Sequence, residues 1–135
     1  MRWYKKLSRS DAQQKTKGNP MPFRFTYENC PGNFVTWFRE EFFNNLDWKD
    51  TPQQEEEAYI TISVTIQGED LGQRVMRLTH AEQRRINHNA PATHLSFDEV
   101  TRRYLQDNNM TGRWIIFSKD DLTGSFKLVI QDVKP

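Results

Sequence analysis

The chain has 135 residues, enough for one domain (1–135) that buries a core without disulfide or metal staples. Its formal net charge is only +1, so the molecule as a whole does not announce a polyanionic partner. The lone cysteine, Cys30, excludes an intramolecular disulfide and fits a reducing compartment. No apolar run approaches the roughly 20 residues that span a bilayer, so a soluble, cytoplasmic protein is expected.

Taken in chain order, residues 2–7 read as a short first strand and 23–27 (FRFTY) alternate as a second. Between them lies KKLSRSDAQQKTKGNP, residues 5–20, with four lysines, one arginine and almost nothing apolar. In the stretch from 34 to 42, Phe34, Trp37, Phe38, Glu41 and Phe42 fall at i, i+3, i+4, i+7 and i+8. This spacing predicts a helix with one aromatic face, with Asn33 as its N-cap. A polar loop, DTPQQEEE, leads to the alternating strand AYITISVTIQ; GEDLG reads as the turn into QRVMRLTH. A second polar loop, HAEQRRINHNAPAT, precedes HLSF. The next stretch predicts a helix capped by Ser96, with Glu99 in the capping-box position and Val100, Tyr104 and Leu105 turned inward. Two strands, RWIIFS and GSFKLVIQDV, close the chain around the turn KDDLTG. Six or seven strands in hairpin-like pairs and two helices predict a mainly β fold, an antiparallel open barrel with helices at its ends.

Charge is segregated along the chain. Seven basic residues stand against Asp11 from 1 to 24, whereas seven acids stand against two bases from 39 to 57. This pattern suggests one face for a polyanion and an opposite face that repels it.

Little in the sequence points to catalysis. Asp47-Trp48-Lys49 and Asp132-Val133-Lys134 have the acid-x-Lys spacing, but neither triplet falls wholly in a stretch read as a strand, as a metal-dependent restriction-type centre would need. Asp120 and Asp121 sit in a turn-rich stretch, and Ser8 and Ser10 have no base to activate them. His80 and His88 with Asn87 or Asn89 could imitate a His-dependent metal nuclease, but no acidic ligand stands beside them. No zinc site can be drawn from one cysteine and three histidines, and no cofactor is expected.

The two polar loops carry side chains suited to DNA. Arg pairs bidentately with guanine, Asn and Gln with adenine, and Lys supplies charge to phosphates. The first loop offers Arg9, Gln13, Gln14, Lys15, Lys17 and Asn19. The second offers Glu82, Gln83, Arg84, Arg85, Asn87, His88 and Asn89, with Glu82 able to accept from a cytosine amino group. Loops of this length in a small domain are more often functional than idle. A protein-interaction module built on exposed aromatics is the competing class, and helical spacing assigns those aromatics to the core instead.

The stretch KKLSRSDAQQKTKGNPMPFRFT, with Leu7, Ser8 and Asp11 followed by a polar loop and an aromatic strand, resembles the N-terminal arm of the B-three-type DNA-recognition pseudobarrels. These domains occur in plant transcription factors and in type II restriction endonucleases, including the effector domain of EcoRII and the target-recognition domain of BfiI. The order downstream is similar: an aromatic helix, paired strands, a polar arm after RLTH, then a short helix before the last strands. The resemblance implies a seven-stranded open barrel that grips the major groove of double-stranded DNA with an N-arm (8–24) and a C-arm (80–93). It implies that Leu7 and Asp11 hold the base of the N-arm and that Ser8 and Arg9 reach phosphates. Arg24, on the strand leaving the arm, takes the place of a base or phosphate contact. The C-arm here has fewer basic residues and more Asn and His than the EcoRII pattern. The parent would be a bacterial restriction enzyme of which this chain is the N-terminal, monomeric recognition domain. Its short site would be rich in G·C, with CC(A/T)GG the first to test, and Mg²⁺ would serve only a separate catalytic domain.

Overall fold

The computed structural model describes residues 1–15, 21–83 and 90–135. Its strands are β1 (Arg2–Lys6), β2 (Phe23–Arg24), β3 (Lys49–Asp50), β4 (Glu56–Ile66), β5 (Glu69–Ala81), β6 (Ala92–Ser96), β7 (Trp114–Lys119) and β8 (Phe126–Gln131). The helices are α1 (Phe34–Trp37), which runs directly into a π-helical turn over Phe38–Phe42, and α2 (Glu99–Asp107). Seven strands form one open, strongly curled half-barrel in the order β1-β7-β8-β4-β5-β6-β2, and β3 pairs with β4 beside it. The mainly β, two-helix open barrel read from the sequence is the fold observed.

The barrel is not wholly antiparallel, because β4 and β8 run parallel, Ile62 opposite Phe126 through Ile66 opposite Ile130. The chain reaches β8 from the β7 hairpin rather than from β4, which leaves β8 pointing the same way as β4. Alternation drives each strand: Ala58, Ile60, Ile62, Val64 and Ile66 of β4 are buried. The partners between them face outward.

Six aromatic rings occupy the centre. Trp3, Phe23, Phe25, Phe38, Phe43 and Phe117 are all nearly or fully buried, with Trp3 perpendicular to Phe38 at 5.2 Å and Phe25 against Phe38 at 4.8 Å. Each such ring contributes about 1.5–3 kcal/mol by leaving water. Asn33 caps α1, its side-chain oxygen accepting from Val35 N at 3.0 Å. The expected regular helix face does not persist. Phe43 N donates to Phe38 O at 2.8 Å, a five-residue step that widens the turn. The extra residue turns Phe42 and Phe43 inward together with Phe38, while Glu41 stays exposed. Three core rings in a six-residue window exceed what one α-helical stripe can bury.

Other boundaries differ from the sequence reading for local reasons. The β4–β5 turn is not GEDLG but the two residues Gln67 and Gly68, with φ of 52° and 78°. That left-handed pair fits a tight hairpin, so Glu69 and Asp70 join the ladder instead. A bulge follows, with Val64 opposite Gly72 and Thr65 opposite Asp70, leaving Leu71 as the additional residue. In α2 the N-cap is Asp98, since Ser96 is spent on β6; Thr101 and Leu105 are buried and Val100 is exposed. The β2 ladder covers only two residues, although Phe25 N still donates to Thr93 O at 3.0 Å.

The seam between the outer strands β1 and β2 is closed by single bonds instead of a ladder. Trp3 Nε1 donates to Glu28 O, and Asn29 Nδ2 donates to Tyr4 O at 2.9 Å. Among the described residues, no helix is long and apolar enough to cross a membrane.

Candidate nucleic-acid interface

Leu7 is buried and bonded into the barrel through Leu7 N to Arg113 O and Gly112 N to Leu7 O, both 2.8 Å. The next residues fold into a compact turn. Ser8 N donates to Asp11 Oδ2 at 3.0 Å and Asp11 N donates to Ser8 Oγ at 3.2 Å, so each caps the other. Lys5 meets Asp11 at 3.0 Å, with both side chains largely buried. That lysine therefore neutralises the turn and is not available to a phosphate. Leu7 and Asp11 hold the base of the arm.

Two glutamines of the arm have structural partners. Gln13 is only 2% exposed and clasps Met21: its Nε2 donates to Met21 O at 2.8 Å, and its Oε1 accepts from Met21 N at 3.1 Å. The clasp closes the neck of the loop. Gln14 Nε2 donates to Leu105 O at 2.6 Å and to Gln106 O at 3.3 Å, tying the arm to the last turn of α2. The sequence points to both amides as base-reading groups; instead, the buried and fully bonded Gln13 is a clasp, and the half-buried Gln14 is an anchor held through its Nε2. Arg9, Lys15 and Arg24 are exposed, and no ion pair holds any of them among the described residues. Ser8 is exposed with its hydroxyl proton still available. Lys17 and Asn19 lie outside the described residues.

Strand register fixes the spacing of the two arms. The N-arm returns to the sheet at β2, where Phe23 faces Leu95 and Arg24 faces His94. The C-arm leaves β5 and enters β6 where Ala81 faces Ala92. The N-arm thus returns on β2 beside one end of β6 and the C-arm enters β6 at the other end, so the two roots are offset along β6 by three residues, or about 10 Å at 3.3 Å per residue. On the face away from the core, register puts Arg24, His94 and Thr79 in one row, Thr79 being buried, with Ser96 and Arg77 in the next. His94 and Arg77 were not singled out in the sequence, because nothing local marks which strand residues share a face with Arg24. Only the pairing of distant strands does. Arg77 is held by Glu57, at 2.7 Å.

The C-arm root carries Glu82 and Gln83, both exposed; Arg84, Arg85, Asn87, His88 and Asn89 lie outside the described residues. Beneath the root, on the core side of the sheet, His80 is 1% exposed. Its Nδ1 lies 2.8 Å from Thr93 Oγ1, on the opposite leg of the arm, and its Nε2 lies 3.5 Å from Glu82 Oε1. Burial pulls the His80 pKa below its usual value, and the Glu82 carboxylate opposes that shift. Arg39 meets Glu56 with two bonds of 3.1 Å and lies over the Trp48 ring at 4.8 Å; the Trp48 and His80 rings meet in a T-shaped contact at 6.1 Å. This polar plug closes the barrel end under the arm.

The acidic segment does not form the repelling face on the far side that its position in the chain suggested. Asp50, Glu55, Glu56 and Glu82 line a pocket of about 360 Å³ beside His80, at the foot of the C-arm. Asp120 is a turn former: its Oδ1 accepts from Leu122 N and Thr123 N, and those bonds lower its pKa. Among the described residues, no group of three or more His, Cys, Asp or Glu side chains is arranged to hold a metal ion. No protein-family model matches the sequence, and no curated protein matches it.

Proposed function

We propose that this chain is a sequence-specific double-stranded DNA-binding domain that grips the major groove with its two arms. The observation that carries the reading is the offset of the two polar arms along β6, the N-arm returning on β2 beside one end and the C-arm entering at the other, with Arg24 and His94 on the strands between. A separation of about 10 Å suits a major groove about 12 Å wide. The unpaired Arg9, Lys15 and Arg24 supply phosphate contacts on the N-arm side, joined by Lys17 from the same arm. Ser8 adds a hydroxyl beside them. Base reading falls to Asn19 on the N-arm and to Glu82, Gln83, Arg84, Arg85, Asn87, His88 and Asn89 on the C-arm. Gln13 and Gln14 act by holding the N-arm in place.

The resemblance of the Leu7–Ser8–Asp11 arm to the B-three-type domains supplies the parent: a type II restriction endonuclease, for which this chain recognises the site while another domain cuts. The domain itself binds DNA without cleaving it, and works in the bacterial cytoplasm. A gel shift with a random duplex pool, with and without Mg²⁺, tests this reading. Binding to duplex that weakens steeply with salt and leaves the DNA intact supports it. Metal-dependent nicking lost in His88→Ala, or tighter binding to single strands, would replace it.

A further inference from the structure

The outward positions of β1, β7 and β8 form a three-by-three grid set by strand register. Lys6, Trp114 and Gln131 make one row, Tyr4, Ile116 and Val129 the second, and Arg2, Ser118 and Lys127 the third. None of the nine is acidic, and Lys134 adds a fourth cation by lying over the Trp114 ring at 5.6 Å. Arg2 lies over Tyr4 at 5.7 Å, and Tyr4 meets Trp114 edge-on at 6.1 Å. No carboxylate pairs with Arg2, Lys6 or Lys134 among the described residues. Of the acids at the ends of these strands, Asp132 is engaged by Arg113 and Asp121 by the N-terminal ammonium, while Asp120 is bonded to its own turn amides and faces Lys127.

Most other cations on the molecule are neutralised by a neighbour: Lys5 by Asp11, Arg39 by Glu56, Lys49 by Asp47, Arg74 by Asp98, Arg77 by Glu57 and Arg103 by Glu99. Among the described residues, cations without a carboxylate partner thus gather mainly in two places, the N-arm and this sheet face, while Arg102 and Lys119 bond only to the neutral Gln106 and Asn44; β1 leads from one place into the other. Charged residues on an edge strand often serve to block edge-to-edge pairing. That need is reduced here, because Asn29 and the loop around Glu28 already occupy the seam beside β1. The shape and chemistry of the face, an acid-free sheet with cations held over aromatic rings, match a row of phosphates.

We propose that the outer face of β1, β7 and β8 is a second contact for a nucleic-acid phosphate backbone, engaged without regard to base sequence. This deepens the DNA-binding reading and rests on it. The face extends the footprint beyond the arms and raises affinity for every sequence equally.

The test compares Arg2→Gln/Lys6→Gln with a control of equal charge change, Lys49→Gln/Arg103→Gln, whose side chains are paired to acids elsewhere. For each, the salt dependence of affinity is measured on a duplex carrying the selected motif and on one lacking it. A phosphate contact contributes about 0.9 to the slope of log K against log salt, so the face variant should lose close to two units on both duplexes with its preferred motif unchanged. Lys134→Gln should remove a further step, and the conservative Arg2→Lys/Lys6→Arg should restore the wild-type slope. Thermal melting of each variant identifies any that fail to fold. An unchanged slope, or an equal loss in the control, overturns the inference. So does equal loss of binding to poly-glutamate, which would assign the face to acidic proteins. If Lys15→Ala and Arg24→Ala weaken binding while the face variant does not, the arms stand and the second contact falls. If the wild type binds no duplex, both readings fall.

Discussion

Replacing Gln13 with Ala isolates what the structure says about the N-arm. Gln13 is buried, and its amide satisfies both backbone groups of Met21, with additional bonds from Nε2 to Ser10 O and Asp11 O at 3.5 and 3.4 Å. Counting only the two short bonds to Met21, at roughly 0.5–1.5 kcal/mol each, Gln13→Ala should cost about 1–3 kcal/mol. Gln13 also sits at φ 63°, where an L-residue is strained and Gly is not. Gln13→Gly should therefore destabilise less than Gln13→Ala, although it deletes the same amide. Urea unfolding of the three proteins measures the stability series. In DNA binding, loss of the clasp should weaken all sequences alike, because an unanchored arm must be ordered during association. A Gln13→Ala protein that keeps wild-type stability but prefers a different motif would refute the clasp and return Gln13 to base reading.

Lys15→Ala and Arg24→Ala should each weaken binding to every duplex and reduce the salt slope by about one unit, measured by titration at several salt concentrations; a change of preferred sequence with an unchanged slope would count against phosphate contact. Because burial lowers the His80 pKa, the unfolded chain takes up a proton on that residue at higher pH than the folded one. Stability should thus fall as pH drops below about 6.5 and level off below the folded-state pKa, and His80→Gln should flatten that part of the curve in denaturant titrations from pH 8 to 5. Gly124 has φ 73°, and a Cβ there would meet Asn45 Nδ2 at 2.8 Å. Gly124→Ala should cost about 1–3 kcal/mol by thermal or chemical unfolding, and an unchanged midpoint would contradict the turn geometry.

The sequence disclosed the strands and helices through short-range periodicity, since alternation in AYITISVTIQ and the aromatic spacing after Asn33 are local signals. It did not disclose the π-helical turn, because the demand to bury Phe38, Phe42 and Phe43 together comes from the curvature of the sheet they pack against. The parallel pairing of β4 with β8 was hidden for a similar reason: residues 62–66 and 126–130 are far apart in the chain and meet only once the sheet assembles. At the candidate interface, residue type identified the two arms but could not separate contact from scaffold. Gln13, Gln14 and Lys15 look alike as polar loop residues. Yet the first is a buried clasp, the second anchors to α2, and the third faces solvent. The row linking Arg24, His94 and Thr79 is likewise a product of strand register, which no local pattern encodes.

The most direct measurement is selection from a pool of random duplexes with the wild type, Arg84→Ala and Arg85→Ala. The wild type should return a short motif rich in G·C. At least one arginine variant should lose discrimination at one position, at a cost of about 1–3 kcal/mol for the preferred base. Failure of any motif to emerge, or recovery of the same motif at the same affinity by both variants, would contradict base reading by the C-arm.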